Sequence, residues 1–145
     1  MLTNQEILAR HPELMELREF KTDEEIIQIL KNGCTVWETE SYDGAPTGVA
    51  KSPVEVVGVG VHDDESSSLH GIPVYYYYRQ SSLDGSRVEG FGFIGDFQRM
   101  PAKGVFTSRE RAGAYFAAAR KAYESDPKWQ AEVEREEEFN RSFPF

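Results

Sequence analysis

Cysteine is nearly absent from this sequence, because Cys34 is the single one among 145 residues. One cysteine excludes an intramolecular disulfide and any Cys-x-x-Cys zinc or redox motif. A chain of this length buries about two thirds of its unfolded surface without such cross-links. We therefore predict a fold stabilised by its apolar core and a reducing, cytoplasmic location.

Long apolar runs are also missing. No segment approaches the roughly 18 consecutive apolar residues that span a bilayer. The first residues, MLTNQEILARHPEL, have neither a basic start nor an apolar stretch, and a secretory signal carries both features. The sequence therefore predicts no membrane partner and no export signal.

Familiar catalytic motifs do not occur in the sequence, which has no P-loop, dinucleotide fingerprint, zincin motif or nucleophile elbow. Cys34 follows a predicted helix end, where the helix dipole is negative and disfavours a thiolate. We therefore expect a non-enzymatic protein that has no cofactor.

A metal site in the loop 62–71 is an alternative, because imidazole and carboxylate side chains bind metals. Its ligands would come from His62, Asp63, Asp64, Glu65 and His70. Acid-rich loops are more commonly only solvated. We therefore predict no metal in this loop.

Basic residues are fewer than acidic ones, 16 against 25, and the net charge is −9. Proteins bind phosphate backbones through basic groups that displace counterions, so nucleic acid is not the expected partner. A basic protein surface is attracted instead. The alternative is that the charge serves solubility alone.

Three Thr-x-x-Glu patterns mark helix starts, at Thr3, Thr22 and Thr107. In such a capping box the threonine oxygen accepts from the third amide of the helix, and the glutamate reaches back to the cap. The second helix is expected to end at Gly33, a left-handed cap. Helices are therefore predicted before and after the middle of the chain.

The middle of the chain is rich in β-branched and aromatic residues in four segments: 35–41, 53–61, 73–82 and 87–97. Such segments between turn residues predict strands. The segments 42–52 and 62–71 contain Gly, Pro, Ser or Asp and predict loops. We expect a single α+β domain over 1–145, with short N-terminal helices in 1–33, an antiparallel β-meander of three to five strands in 34–104, and one or two C-terminal helices in 105–145.

The dipeptide Asp84-Gly85 favours a two-residue hairpin loop. Leu83 would then face Ser86, and counting outward places Tyr77 across Gly92, where the tyrosine ring covers the glycine backbone. Side chains alternate between the two faces of a strand. One face is then wholly aromatic, and we predict that it is the covered face: Tyr76 opposite Phe93, and Tyr78 opposite Phe91.

The stretch EGFGFIGDF, residues 89–97, resembles the signature octapeptide of the RNA-recognition motif family. The match covers residues 90–94, and the resemblance implies a sheet whose aromatic rings stack on RNA bases. The sequence departs from the family by Glu89 at a basic position and by Asp96 at an aromatic one. These departures remove a phosphate contact and a stacking ring, so we expect a hairpin that does not read RNA.

A second class of function is a small-ligand or nucleotide-binding module. Tyr75, Tyr77 and Arg79 lie on one side of a predicted strand. Aromatic rings and a guanidinium group stack on flat ligands. These three residues are therefore the candidate ligand-stacking platform.

The leading hypothesis is a protein that binds another protein with a basic surface. Asp126 and Pro127 are expected to open a last helix, as cap and first residue, which contains EREEE at 134–138. Its predicted partner-binding residues are Trp129, Glu134, Glu136, Glu137 and Glu138.

The size and charge of the chain are those of small inhibitory proteins. By this analogy we expect a phage- or mobile-element-encoded inhibitor of a host defence or toxin protein. The alternative for the last helix is that its aromatic residues complete a core beside Tyr75 and Tyr77.

The charge and Glu89 together predict that the chain does not bind nucleic acid through phosphates. Titration with a single-stranded RNA or DNA oligonucleotide at physiological salt should give a dissociation constant weaker than about 100 μM. Micromolar binding that falls steeply as salt is added would contradict this prediction. Glu89→Lys restores the basic position of the octapeptide and serves as the comparison variant.

Overall fold

The computed structural model describes residues 4–42, 45–81, 83–95 and 100–142. The helices of these residues are α1 Asn4–Arg10, α2 Glu13–Glu16, α3 Asp23–Leu30, α4 Arg109–Ser125 and α5 Pro127–Ser142. The strands are β1 Cys34–Tyr42, β2 Ala45–Val49, β3 Val54–Val61, β4 Pro73–Gln80, β5 Arg87–Phe93 and β6 Val105–Phe106. Helices thus flank a block of strands, and the predicted α+β class is confirmed.

The strands form one antiparallel sheet in the order β2-β1-β3-β4-β5, with β6 paired to β1. Strand β1 changes its neighbour along its length. Its first residues pair with β3, where Val36 lies opposite Val54, and its middle pairs with β6, where Trp37 lies opposite Phe106. Strand β5 forms one edge of the sheet, and β2 forms the other.

Local signals explain both ends of α3. The Thr22 hydroxyl accepts from the Glu25 amide at 3.2 Å, as the capping box requires, although the Glu25 carboxylate accepts from the Lys21 amide at 2.7 Å and not from that of Thr22. Gly33 follows α3 with a φ of 80°, a conformation that favours glycine. The box predicted at Thr3 lies outside the described residues.

The cap of α4 differs from the prediction by one residue. Ser108 has extended backbone, and its hydroxyl accepts from the Arg111 amide. Thr107 was predicted for this role, but its hydroxyl donates to the Glu19 carboxylate at 2.7 Å. A tertiary contact therefore occupies the threonine, and the next hydroxyl caps the helix.

Strand β2 lies in a segment that was predicted to be a loop, and that prediction is wrong. Tyr42 pairs with Ala45 and Thr39 with Val49, around an irregularity in β1. Pro46 lacks an amide proton, but an edge strand tolerates this loss. The Pro46 carbonyl accepts from the Arg120 side chain on α4 at 2.9 Å.

Two apolar cores lie on opposite faces of the sheet. The first packs α4 against β1, β2 and the N-terminal helices, with buried residues Ile7, Leu14, Ala45, Ala102, Phe106, Ala112, Tyr115, Ala119, Ala122 and Tyr123. The second packs α3 on the other face, with Ile26, Leu30, Val36, Val54, Val56, Tyr75, Tyr77, Ile94 and Val105. Helix α4 covers β1 and β2 but does not extend across β3, β4 and β5.

The register of the β4–β5 hairpin is two residues away from the prediction. Ser81 closes the hairpin with Ser86, through an amide-to-carbonyl bond of 2.7 Å, and Tyr76 lies opposite Phe91. Gly85 has a φ of 74°, and its amide donates to the Ser81 carbonyl. The loop is therefore longer than the two-residue turn expected at Asp84-Gly85.

The prediction of the covered face is also wrong. Tyr75 and Tyr77 are 2% and 8% exposed, whereas Tyr76 and Phe91 are 41% and 48% exposed. A shift of two residues keeps every side chain on its face, so the register error is not the cause. The cause is α3, which packs on the face of Tyr75 and Tyr77.

Glycines in β5 make room for the buried tyrosines. A Cβ atom added at Gly92 would lie 2.6 Å from the Tyr75 ring, and one at Gly90 would lie 2.8 Å from the Tyr77 ring. The predicted type of contact, a tyrosine ring packed on a strand glycine, is thus present. The partners differ from those expected, because Gly90 and not Gly92 lies opposite Tyr77.

Gly92→Ala should destabilise the protein by about 1–3 kcal/mol, because the new methyl group must displace a buried ring. Chemical denaturation measures this difference in the free energy of unfolding. Gly48→Ala on β2 is the matched control, since nothing lies within 4 Å of the added Cβ atom there. Equal stability of the two variants would show that Tyr75 does not pack on Gly92.

Candidate functional site

The predicted ligand-stacking residues Tyr75, Tyr77 and Arg79 all line a cleft of about 610 Å³. Glu38 and Lys103 line the same cleft. The hydroxyl of Tyr75 donates to the Glu38 carboxylate at 2.6 Å. The guanidinium of Arg79 lies 4.9 Å from the centre of the Tyr77 ring and 3.9 Å from Glu38.

The tyrosines of this cleft do not form an open stacking platform. Their rings pack on Gly92 and Gly90 and lie 5.5 Å from each other. Burial, together with the Glu38 carboxylate, raises the pKa of the Tyr75 phenol, which stays protonated as a donor. The Tyr75 hydroxyl therefore binds the Glu38 carboxylate, and little of either ring is exposed to a flat ligand.

The charges of the cleft oppose one another. Glu38 and Glu40 are matched by Arg79 and Lys103 in its lining. Its lining residues in the described part of the chain include no histidine or cysteine. The two acids and two bases of the lining balance, so the cleft has no excess charge that would select a cationic or an anionic ligand.

The opposite face of β3, β4 and β5 carries the aromatic residues that were expected in the core. Phe91 and Phe93 contact each other edge to face at 5.7 Å, and His62 stacks on Phe91 at 5.8 Å. Tyr76 and Val57 lie half exposed on the same side. We name this surface the aromatic face, made of Val57, His62, Tyr76, Tyr78, Phe91 and Phe93.

The loop 62–71 does not assemble a metal site. The Asp64 carboxylate accepts from the Ser66 hydroxyl at 2.7 Å and from its amide at 3.0 Å, and these bonds lower the pKa of Asp64. His62 packs on the phenylalanines. In the part of the chain that the structure describes, no group of three or more His, Cys, Asp or Glu side chains could hold a metal ion.

The predicted acidic helix is α5, and its two halves differ. Trp129 meets Tyr123 edge to face at 6.2 Å, and the Arg120 guanidinium lies 5.3 Å from its ring. Every residue from 134 to 142 is exposed, including Glu134, Glu136, Glu137 and Glu138. Trp129 thus anchors the helix to α4, while the glutamates face solvent.

The aromatic residues of α5 do not complete a core beside Tyr75 and Tyr77, contrary to one sequence-based alternative. Phe139 is 64% exposed, and Trp129 packs on the first core. The distal half of α5 therefore extends away from the two cores. Helical residues in this position gain little stability from packing.

The junction between α4 and α5 is held by Asp126. Its carboxylate accepts from Arg10 Nη1 at 2.8 Å on both oxygens and from the Lys128 amide at 2.9 Å. Burial acts to raise the pKa of Asp126, but the Arg10 and Lys128 bonds outweigh it and lower the pKa. Lys128 adds an ion pair with Glu6 on α1 at 2.9 Å.

Comparisons with protein-family models, with curated proteins and with solved structures find no significant match. The octapeptide likeness does not extend to the order of elements, because β3, β4 and β5 follow one another with no helix between them. Asp96, one of its departures, lies outside the described residues. No helix in the described ranges is both long and apolar enough to cross a bilayer.

The sequence reasoning missed Glu38 and the exposure of the aromatic face. Glu38 lies on β1, 37 residues from Tyr75 along the chain, and no local pattern signals that contact. Both faces of β4 are aromatic, so their composition could not tell which one α3 covers. The glycines opposite Tyr75 and Tyr77 were the available signal, since they leave room for rings beneath a helix.

Asp126→Asn should lower the free energy of unfolding at pH 7 by about 1–3 kcal/mol, because the ion pair with Arg10 is lost and the one amide oxygen that remains accepts without a negative charge. The folded pKa is depressed, so the native advantage is fully present above the unfolded pKa of about 3.9 and disappears as pH falls through the folded value. Urea denaturation between pH 3 and 7 (the range bracketing that pKa) measures the difference. Asp63→Asn, in an exposed loop, is the control. A pH-independent difference would contradict an ionised buried carboxylate.

Proposed function

We propose that this chain is a non-enzymatic protein that binds another protein with a basic surface, and that the exposed distal half of α5 meets this partner first. The observation that carries the proposal is the exposure of every residue from 134 to 142 on a helix anchored at its base. Four of these residues are glutamates: Glu134, Glu136, Glu137 and Glu138.

The charge of this segment gains little for folding. Glu134 and Glu138 are one turn apart on the same helix, and like charges at that spacing weaken a helix by a few tenths of a kcal/mol. The segment also has no packing that requires acids. Glu137 and Arg141 form an opposite-charge pair at the same spacing, which offsets this weakening. Binding is therefore the use we propose for a charge pattern that folding does not require.

Electrostatic attraction of this kind acts mainly on the association rate. A net charge of −9 steers basic partners from beyond contact distance, within a Debye length of about 10 Å at 0.1 M salt. The helix base supports this role, because Trp129 and the Asp126 bonds hold the direction of α5.

We further propose the finer role of an inhibitor encoded by a phage or mobile element, acting on a host defence or toxin protein. The support is that the chain shares its small size and acidic charge with inhibitory proteins of this class, which is an analogy and not a sequence match. The acids of α5 would cover a basic functional surface of the target.

The test replaces the four α5 glutamates with glutamine. Exposed substitutions change stability by under about 0.5 kcal/mol, so the fold should persist. Association with a partner isolated by pull-down should slow about 5–10-fold at low salt, and the difference should shrink as salt is added. Stopped-flow or surface-based kinetics measure the rate.

The control variant replaces four exposed glutamates outside α5 with glutamine, which changes the net charge by the same amount: Glu13, Glu16, Glu24 and Glu110. It should slow association less than the α5 variant, because its acids are spread over other helices. Equal effects of the two variants would mean that only the total charge matters. An unchanged rate for the α5 variant would leave solubility as the role of these glutamates.

A further inference from the structure

The aromatic face is an apolar surface that no described helix covers. Val57, Tyr76 and Phe91 are 51%, 41% and 48% exposed, and they come from three adjacent strands, β3, β4 and β5. Together with Tyr78 and Glu89 they line a groove of about 340 Å³. Aromatic residues are enriched in the centres of protein interfaces, where they carry much of the binding energy.

The side chains of this face are held in place before any partner arrives. Tyr76 lies over Gly60, since a Cβ atom there would come within 2.9 Å of the ring. Phe91, Phe93 and His62 form a cluster with centroid distances of 5.5 to 5.8 Å. Ordered side chains lose less entropy on binding, so a rigid aromatic surface binds more tightly than a mobile one.

The charges around the aromatic face are unbalanced at one end. Near the hairpin, Arg87 pairs with Glu55 at 2.9 Å, and Glu89 accepts from the Tyr78 hydroxyl at 2.9 Å. At the other end the loop that begins at His62 carries three exposed acids, Asp63, Asp64 and Glu65. The sequence has no Lys or Arg between Lys51 and Arg79. The open end of the face is therefore acidic.

We infer that the aromatic face is a docking surface for a partner protein that presents apolar side chains flanked by Lys or Arg. The apolar contacts would fill the groove between Tyr76 and Phe91, and the basic groups would meet the acids of the loop 62–71. This inference shares with the proposed function only the basic character of the partner. It adds a surface on the sheet, separate from α5.

Two other occupants fit the surface less well. A second copy of the chain would bring two net charges of −9 together, which opposes self-association. Single-stranded RNA could stack on Phe91, but the loop acids would repel its phosphates. The acidic end of the face therefore favours a basic protein over both.

The test uses a synthetic amphipathic helical peptide of Leu, Ala and Lys as its probe, with a counterpart that has Glu in place of Lys. The variant Val57→Thr/Phe91→Thr removes apolar surface while placing threonine, a β-branched residue that suits strands, at both positions. Leu83→Thr, at a loop side chain that is 95% exposed, is the control for the loss of an exposed apolar group. Circular dichroism and thermal unfolding confirm that each variant is folded.

Calorimetric titration should show the Lys peptide binding to the native chain and to Leu83→Thr, with an affinity at least about tenfold lower for the double variant. The Glu peptide should bind to none of them. Amide NMR shifts should move in β3, β4 and β5. Equal affinity for the double variant, or no binding by the native chain, would overturn the inference.

Three further measurements separate this inference from its alternatives and from the role of α5. The double variant is also made in the chain whose four α5 glutamates are replaced with glutamine. The two threonine substitutions should lower the affinity for the Lys peptide there as well, even if the four glutamine substitutions alone do not slow association with the partner. Sedimentation that shows a native dimer abolished by Phe91→Thr would assign the face to a second copy. RNA binding abolished by the same change would assign it to nucleic acid.

Discussion

The packing of Tyr75 and Tyr77 against Gly92 and Gly90 decides how the rest of the sheet is used. With no side chain on these glycines, the two rings pack against the β5 backbone and join the buried cluster that α3 completes on this face. Once this face is buried, strand alternation places Tyr76 and Phe91 on the other face. The burial of Tyr75 also brings its hydroxyl to Glu38, so the same contact shapes the cleft and the exposed surface.

The elements with strong local signals were predictable from the sequence. The α+β class, the cap at Thr22, the left-handed Gly33 and the start of α5 after Asp126 each follow from a few neighbouring residues. Strand β2 and the cap at Ser108 were not predictable in this way. Ala45–Val49 becomes a strand because β1 offers it a pairing edge, and Ser108 caps α4 because Glu19 occupies Thr107. Tertiary contacts therefore determine both the strand β2 and the cap of α4.

In the candidate site, too, some features were predictable from the sequence and others depended on tertiary contacts. The sequence identified Tyr75, Tyr77 and Arg79 as lying together, and the structure places all three on one cleft. It could not show that the two tyrosines would be buried in the core that α3 completes. Alternation predicts which residues share a face, but only the position of a helix decides which face meets water. That decision changes the aromatic residues offered to a partner from Tyr75 and Tyr77 to Tyr76 and Phe91.

Charge and exposed apolar surface are complementary properties in this molecule. An open aromatic face on a neutral protein would favour self-association, since large exposed patches are interaction sites or aggregation hazards. A net charge of −9 opposes contact between copies while attracting a basic surface. On the proposals made above, long-range charge governs how fast a partner arrives, and desolvation of Phe91 and Tyr76 governs how long it stays. The same acids that select the partner would then also keep the aromatic face soluble in its absence.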